Sequence, residues 1–248
     1  MVDVVRKSRT VRFDAAMPKH EDVEPMFRDL LEREDFGGAV VLDLGTGTGR
    51  LAFFIAPRAR KVIGVDIDES AVSVARDEAI RRDLSHAEFV VADAESAPWS
   101  AWYPGPYDFV TANLFMSEGV VALAGRHLRR GGRLLFCAHH TDHWRETRKG
   151  SRWAMGEDRM AALLVDNGFA IEFLGVDTTT ELFDGVEQVE AVLSPRRLRT
   201  WTEDGRWAAL REAFAAGRRQ LTRSYLVGRA QTIESSSFTR DTEARYSK

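Results

Sequence analysis

The sequence predicts an α/β fold whose centre is an open, mostly parallel sheet covered by helices on both faces. Three observations predict it. Short valine- and isoleucine-rich runs alternate with segments of helical periodicity between residues 40 and 176, the pattern of successive βαβ units. The first run, Val40-Val41-Leu42-Asp43-Leu44, opens into Gly45-Thr46-Gly47-Thr48-Gly49 and then into helix-spaced apolar residues as far as Ile55. Acids close successive strand regions at Asp43, Asp66 and Asp93.

In chain order, residues 1–19 are polar and basic and are expected to be loosely ordered, at least at the start. His20 to Arg33 reads as an amphipathic helix with Val23, Met26, Phe27, Leu30 and Leu31 on one face. Gly37-Gly38 leads into the first strand. A second buried strand covers Lys61 to Asp66, and a helix from Glu69 to Arg82 turns Ala71, Val74, Ala75 and Ile80 inward. Ala87 to Ala92 is a third strand. The loop carrying Trp99, Trp102 and Tyr103 is expected to brace the sheet edge. Tyr107 to Ala112 is a fourth strand ending at Asn113. A helix from Glu118 to Arg130, stopped by Gly131-Gly132, precedes a fifth strand over Arg133 to Ala138. A helix from Met155 to Asn167, capped by Gly168, leads to a sixth strand over Phe169 to Val176.

The alternation then breaks. Residues 178–221 carry helical sequence without a clear strand, in segments 186–193 and 203–220, and are too long for a plain connection. They read as a helical cap. Arg223 to Ala230 forms the last strand. The Ser-, Thr- and charge-rich tail 232–248 has almost nothing to bury and is expected to be disordered. The expected organisation is thus an arm and helix over 1–36, a domain over 37–231 with its cap, and the tail.

Composition bounds the function. The chain has 248 residues, 44% hydrophobic and 29% charged, with formal net charge −3 and a pI near 6.1. That balance lacks the footprint of a nucleic-acid binder. Arg196-Arg197-Leu198-Arg199 and Arg218-Arg219 read as exposed helix faces. One cysteine, Cys137, excludes an intramolecular disulfide. No apolar leader or membrane-length run appears, so a cytoplasmic chain without a membrane partner is the expectation. A homodimer is compatible with it.

A strand, a tight glycine turn and a helix start bring bare backbone N–H groups to one point. A dinucleotide would call for Gly-x-Gly-x-x-Gly, but here Arg50 stands where the third small residue belongs. Asp43, two residues ahead of the turn, is costly to bury without a partner. Such an acid suits a ligand carrying positive charge. Asp66 lies 21 residues after Gly45, the separation at which an acid reaches ribose hydroxyls.

The set Val41-Leu42-Asp43-Leu44-Gly45-Thr46-Gly47-Thr48-Gly49, Val62-Ile63-Gly64-Val65-Asp66, Val90-Val91-Ala92-Asp93-Ala94 and Leu128-Arg129-Arg130-Gly131-Gly132-Arg133-Leu134-Leu135 resembles the class I S-adenosylmethionine-dependent methyltransferases. The resemblance implies a Rossmann-like sheet of seven strands in the order 3-2-1-4-5-7-6, the last antiparallel. It implies S-adenosyl-L-methionine as cofactor and S-adenosyl-L-homocysteine as product. Asp43, Gly45, Thr46, Gly47 and Gly49 would underlie the methionine part, and Asp66, followed by Ile67, the ribose. Asp93 would meet the adenine amino group and the Ala94 backbone a ring nitrogen, while residues from Asn113 would border the methyl.

On the acceptor side, His139 and His140 follow the fifth strand and are the candidate general bases, with pKa values suited to the work. His143, Phe115 and Met116 are candidate pocket residues. His139 and His143 with Asp142 suggest a metal, but they follow a strand end rather than sit at i,i+4 on a helix, so a metal site is not expected. Arg12-Phe13 and His20 are either an arm or a closure over the cofactor. The cap residues Leu182, Phe183, Val186, Val189, Val192 and Leu193 are expected to wall an enclosed pocket.

Asn113-Leu114-Phe115-Met116 departs from the Asn/Asp-Pro-Pro-aromatic signature of amino-methylating nucleic-acid enzymes, although Asn-Leu is similar to enzymes that methylate ribosomal protein side chains. The expected activity is methyl transfer to a small organic acceptor, with O-methylation one form. The alternatives are RNA or protein methylation, or a non-catalytic sensor of the same fold.

Overall fold

The structure, a computed structural model, describes residues 3–14, 23–151 and 153–233. Among these residues one sheet holds eight strands: β1 Val5–Arg12, β2 Val40–Leu44, β3 Lys61–Asp66, β4 Ala87–Val91, β5 Tyr107–Asn113, β6 Leu128–His139, β7 Phe169–Leu182 and β8 Gln220–Thr232. Their order across the sheet is β1-β7-β8-β6-β5-β2-β3-β4. Strand β8 runs antiparallel to β6 and β7, and every other pair is parallel. From β7 to β4 this is the arrangement the resemblance implies.

The eighth strand corrects the expectation of seven. β1 lies in the arm expected to be loose, and all eight of its residues are exposed. It has no hydrophobic alternation to reveal it. Pairing in register with β7, from Val5↔Gly175 to Arg12↔Leu182, supplies its backbone partners. Arg9 also donates through Nη1 to both carboxylate oxygens of Asp177, at 2.7 and 3.0 Å.

Helices α1 Pro25–Glu32, α2 Arg50–Ile55, α3 Glu69–Arg81, α4 Glu118–His127 and α5 Glu157–Asp166 cover the sheet. One face packs Leu42, Leu44, Ile63 and Val110 against Val120 and Val121 of α4 and Met160 and Leu164 of α5. The other packs Val41, Val62 and Leu135 against Phe27 and Leu31 of α1, Ile55 of α2 and Val72 of α3. Covered on both sides, β2 is buried at every residue, which is why it carries no alternation. On α3 the inward residues are Val72, Ala75 and Ala79. Val74 and Ile80, expected inward, are 53% and 79% exposed. The small alanines let the helix lie close to the sheet.

Trp99 does brace the sheet: it is fully buried, its indole N–H donates to the Ala94 carbonyl at 2.7 Å, and the Trp99 carbonyl accepts from the Tyr107 hydroxyl at 2.8 Å.

β7 runs on to Leu182, through Thr178-Thr179-Thr180, where the cap was expected to have begun. These β-branched residues continue the ladder with β8. Helices α6 Val186–Val192, α7 Pro195–Glu203 and α8 Arg206–Ala215 follow. Their apolar residues close on one another, as Phe183, Val189, Trp201, Leu210, Phe214 and Leu221 form a cluster of their own. This corrects the expectation that Phe183 and Val189 wall a pocket; Leu182 is 37% exposed. Phe13 stacks on Phe183 at 5.0 Å, tying the arm to the cap. His20 and the tail 234–248 lie outside the described residues. Among those described, no helix is long and apolar enough to cross a membrane.

Candidate functional site

Strands β2, β3 and β5 end side by side, and the glycine turn rises between them into α2. Gly45, Gly47 and Gly49 all have positive φ, at 64°, 54° and 85°, a region that costs other residues strain. Their surroundings separate them. A Cβ on Gly45 would stand 2.5 Å from Cβ of Phe115, and one on Gly49 would stand 2.6 Å from the Phe53 ring. Gly47 faces open space. Two of the glycines therefore permit packing, and the middle one leaves a wall bare.

That wall borders a cleft of about 190 Å³ lined by Asp43, Gly45, Thr46, Gly47, Thr48, Arg50, Leu51 and Asn113. Asp43 is its buried acid, 1% exposed. One carboxylate oxygen accepts from the Thr46 hydroxyl at 2.7 Å and the other from the Thr111 hydroxyl at 2.9 Å. Burial nevertheless pushes its pKa up to about 6, against those two hydrogen bonds. A positive charge nearby would stabilise the carboxylate. Arg50, at the rim, forms no ion pair among the described residues.

Asp66 is joined to the turn. It accepts from the Gly47 N–H at 2.8 Å and from the Asp68 N–H at 2.9 Å, one bond per oxygen. Each oxygen keeps a lone pair for a further donor. The adjacent Ile67 is 71% exposed. On the next strand end, Asp93 accepts from the Glu95 N–H and the Ser96 hydroxyl, both at 3.0 Å, and Ala94 is buried. The three acids thus sit on the carboxyl side of neighbouring strands. Asn113 lines the cleft, Phe115 packs on Gly45, and Met116 is buried in the core beneath.

The histidines part company. His139 ends β6 with its ring 4.2 Å from that of His143 and 6.1 Å from Tyr225. Burial, aided by the charge of Arg197, lowers its pKa to about 4, so it is neutral at pH 7. His140 is committed elsewhere. Its Nε2–H donates to Glu157 at 2.9 Å, and its Nδ1 accepts from the Asp142 N–H and the Ser224 hydroxyl, both at 3.2 Å. With both nitrogens engaged and 5% exposure, His140 ties the β6 end to α5 and has no lone pair free for a substrate proton, which counts against it as a base. His143 is 1% exposed, with Nδ1 at 3.1 Å from the Ser224 backbone and Nε2 without a partner. Among the described residues no group of three or more His, Cys, Asp or Glu side chains could hold a metal ion.

Sequence reasoning did not select Thr48, Arg50 or Leu51 as cleft residues, nor Trp144, Arg197 and Tyr225 around the histidines. Position beside the glycine turn was the available signal for Arg50. The same signal was available for Thr48 and Leu51, while for Trp144, Arg197 and Tyr225 it lies in tertiary contacts.

Comparison with known proteins bears on the family and the fold. A methyltransferase domain family matches residues 35–191. The ribosomal protein L11 methyltransferase of Pelobacter propionicus is 33% identical over 140 residues, 49% of this chain and 43% of that protein. The chain spans less than half the length of the curated relatives it matches first. Among solved structures, the YcgJ protein of Bacillus subtilis aligns with a TM-score of 0.64 at 18% identity, over 84% of this chain and 98% of that one. Magnesium protoporphyrin IX methyltransferase of Synechocystis, solved with bound S-adenosylhomocysteine, aligns with a TM-score of 0.54 at 17% identity, over 84% and 80%. At these identities the structural likeness concerns the fold.

Proposed function

The chain belongs to the methyltransferase domain family, with the class I S-adenosylmethionine-dependent fold, and from that premise we propose that it methylates a small organic acceptor. The observation that carries the cofactor part of the reading is the Asp43 carboxylate, buried beside a bare glycine wall in a cleft that also offers Arg50. An amino-acid end group with its ammonium and carboxylate, next to a sulfonium, matches that pair of charges. The residues fit such a ligand. Asp66, already oriented by two backbone donors, can accept from ribose hydroxyls, and Asp93 from an exocyclic amine.

When bound, S-adenosylmethionine supplies a methyl group on a positively charged sulfur, which leaves as a neutral thioether. The protein's part is to align the acceptor and keep water away, effects that together contribute several kcal/mol. Asn113, at the end of β5, and Phe115, just past it, would border the acceptor. Where the acceptor is a hydroxyl, His139 is the group that would take its proton, its ring being neutral and without a hydrogen bond among the described residues, but with a pKa lowered to about 4 it is a weak base. A general base with a pKa near the working pH contributes about 10²–10⁴-fold, and one this far below it contributes less. A carboxylate acceptor needs none.

A second reading, methylation of a protein side chain, draws on the L11 methyltransferase relatives and on Asn113-Leu114. Methyl-transfer assays with labelled cofactor against metabolite, tRNA and ribosome pools decide between them. Labelling of the small-molecule fraction is expected, and transfer only to macromolecules would sink the small-acceptor reading. Cofactor binding without transfer to any fraction of a cell extract would favour a sensor.

A further inference from the structure

Beyond the cofactor cleft, at the end of β6, polar groups gather that the fold leaves unsatisfied. The His143 Nε2 is buried with no partner among the described residues. Because Nδ1 is turned to the β8 backbone at Ser224, Nε2 is directed away from that strand. Around the ring stand His139 at 4.2 Å, Trp144 at 4.4 Å and Tyr225 at 5.0 Å. Buried polar groups are normally paired, so an orphan here calls for an explanation.

Arg197, reaching in from α7, adds a charge. Its guanidinium lies over the Trp144 ring at 5.0 Å from the centroid. Its neighbours are neutralised, Arg206 by Asp204 and Arg223 by Glu181. Arg197 has no ion pair and no side-chain hydrogen bond among the described residues. The Tyr225 hydroxyl likewise has no hydrogen bond, and burial keeps it protonated, its pKa pushed up to about 12, so it can donate.

Distance connects this cluster to the cleft. Asn113 pairs with Cys137 across β5 and β6, and His139 stands two residues further. Strand spacing and rise then put the two Cα atoms about 8 Å apart. A flat ring system of one or two rings spans that gap.

Resting on the methyltransferase reading, we infer that His139, Trp144, Arg197 and Tyr225 form the acceptor's recognition subsite and that the acceptor is a planar aromatic carrying a carboxylate. A planar guanidinium held on an indole matches a carboxylate by paired, charge-assisted hydrogen bonds and presents a flat wall beside it. The Tyr225 hydroxyl supplies a further donor. An aliphatic cation would be repelled by the Arg197 charge, which already occupies the Trp144 face.

The full chain saturated with S-adenosylhomocysteine is titrated calorimetrically with 2-naphthoate, 2-naphthamide and acetate, and histidine ring signals are followed by NMR. Naphthoate is expected to bind and to shift the His139 and His143 signals, with the amide and acetate at least about tenfold weaker. Arg197→Gln, on an exposed helix face, should weaken naphthoate about tenfold and leave S-adenosylhomocysteine affinity unchanged. Arg197→Lys should restore only part, because the charge returns without the plane. Equal naphthoate binding by wild type and Arg197→Gln overturns the inference, as does no naphthoate binding at millimolar concentration to protein that holds S-adenosylhomocysteine. Absence of S-adenosylhomocysteine binding itself removes the methyltransferase reading and this one with it.

Discussion

The Gly47 amide donates to the Asp66 carboxylate at 2.8 Å, so the glycine turn after β2 is pinned to the end of β3. One acid thereby both shapes the turn and faces the space where a ribose is proposed to sit. Asp66→Ala should lower S-adenosylhomocysteine affinity by about tenfold or more, since charge-assisted hydrogen bonds are lost. Unfolding should stay cooperative. Unchanged affinity in calorimetry would refute the ribose role.

Gly45 and Gly47 should respond differently to alanine. Gly45→Ala meets both a positive φ and Phe115 at 2.5 Å, and is expected to cost about 3 kcal/mol. Gly47→Ala meets only the φ penalty, about 1 kcal/mol, but puts a methyl group into the cleft. Denaturant titration should rank Gly45→Ala as less stable. Equal losses would mean that Phe115 yields freely.

Asp43 makes stability and binding depend on pH. Burial raises its folded pKa to about 6, above an unfolded value of about 3.9. The stability it contributes is therefore full below about pH 4 and is lost as pH rises through about 6, on the order of 3 kcal/mol in all. Relative to wild type, Asp43→Asn should show a flatter stability profile over that window. A cationic ligand favours the ionised acid, so S-adenosylmethionine binding near pH 6 should release part of a proton. Calorimetry in buffers of different ionisation enthalpy measures this, and equal release from Asp43→Asn would exclude Asp43 as the source.

His140 and Glu157 should behave as a structural pair. Glu157 has its pKa lowered to about 2, first by its own backbone N–H at the start of α5 and then by His140 and Arg6. Its contribution has the opposite sign to that of Asp43: present above about pH 4.5, lost as pH falls toward 2. His140→Ala should cost about 1–3 kcal/mol through the unpaired partners it leaves, with cofactor affinity unchanged. His139→Ala should instead lower turnover, with some loss of stability because its ring packs on His143, Trp144 and Tyr225. A reversed pattern would return the base role to His140.

What the sequence disclosed followed burial. β2 and its turn were legible because valines covered on both faces and glycines with positive φ leave local signatures. β1 was not, since its eight exposed residues become a strand only through β7, more than 160 residues away. Asp43, Asp66 and Asp93 could be aligned from strand ends alone. Separating His139 from His140 required Glu157 and Ser224, brought there by α5 and β8. Arg197 looked like a surface charge until α7 laid it over Trp144.

Titration of the full chain with S-adenosylmethionine and S-adenosylhomocysteine tests the central claim most directly. Saturable binding of both at one site per chain is predicted, with Asp66→Ala impaired for each. A cooperatively folded protein that binds neither would contradict the account.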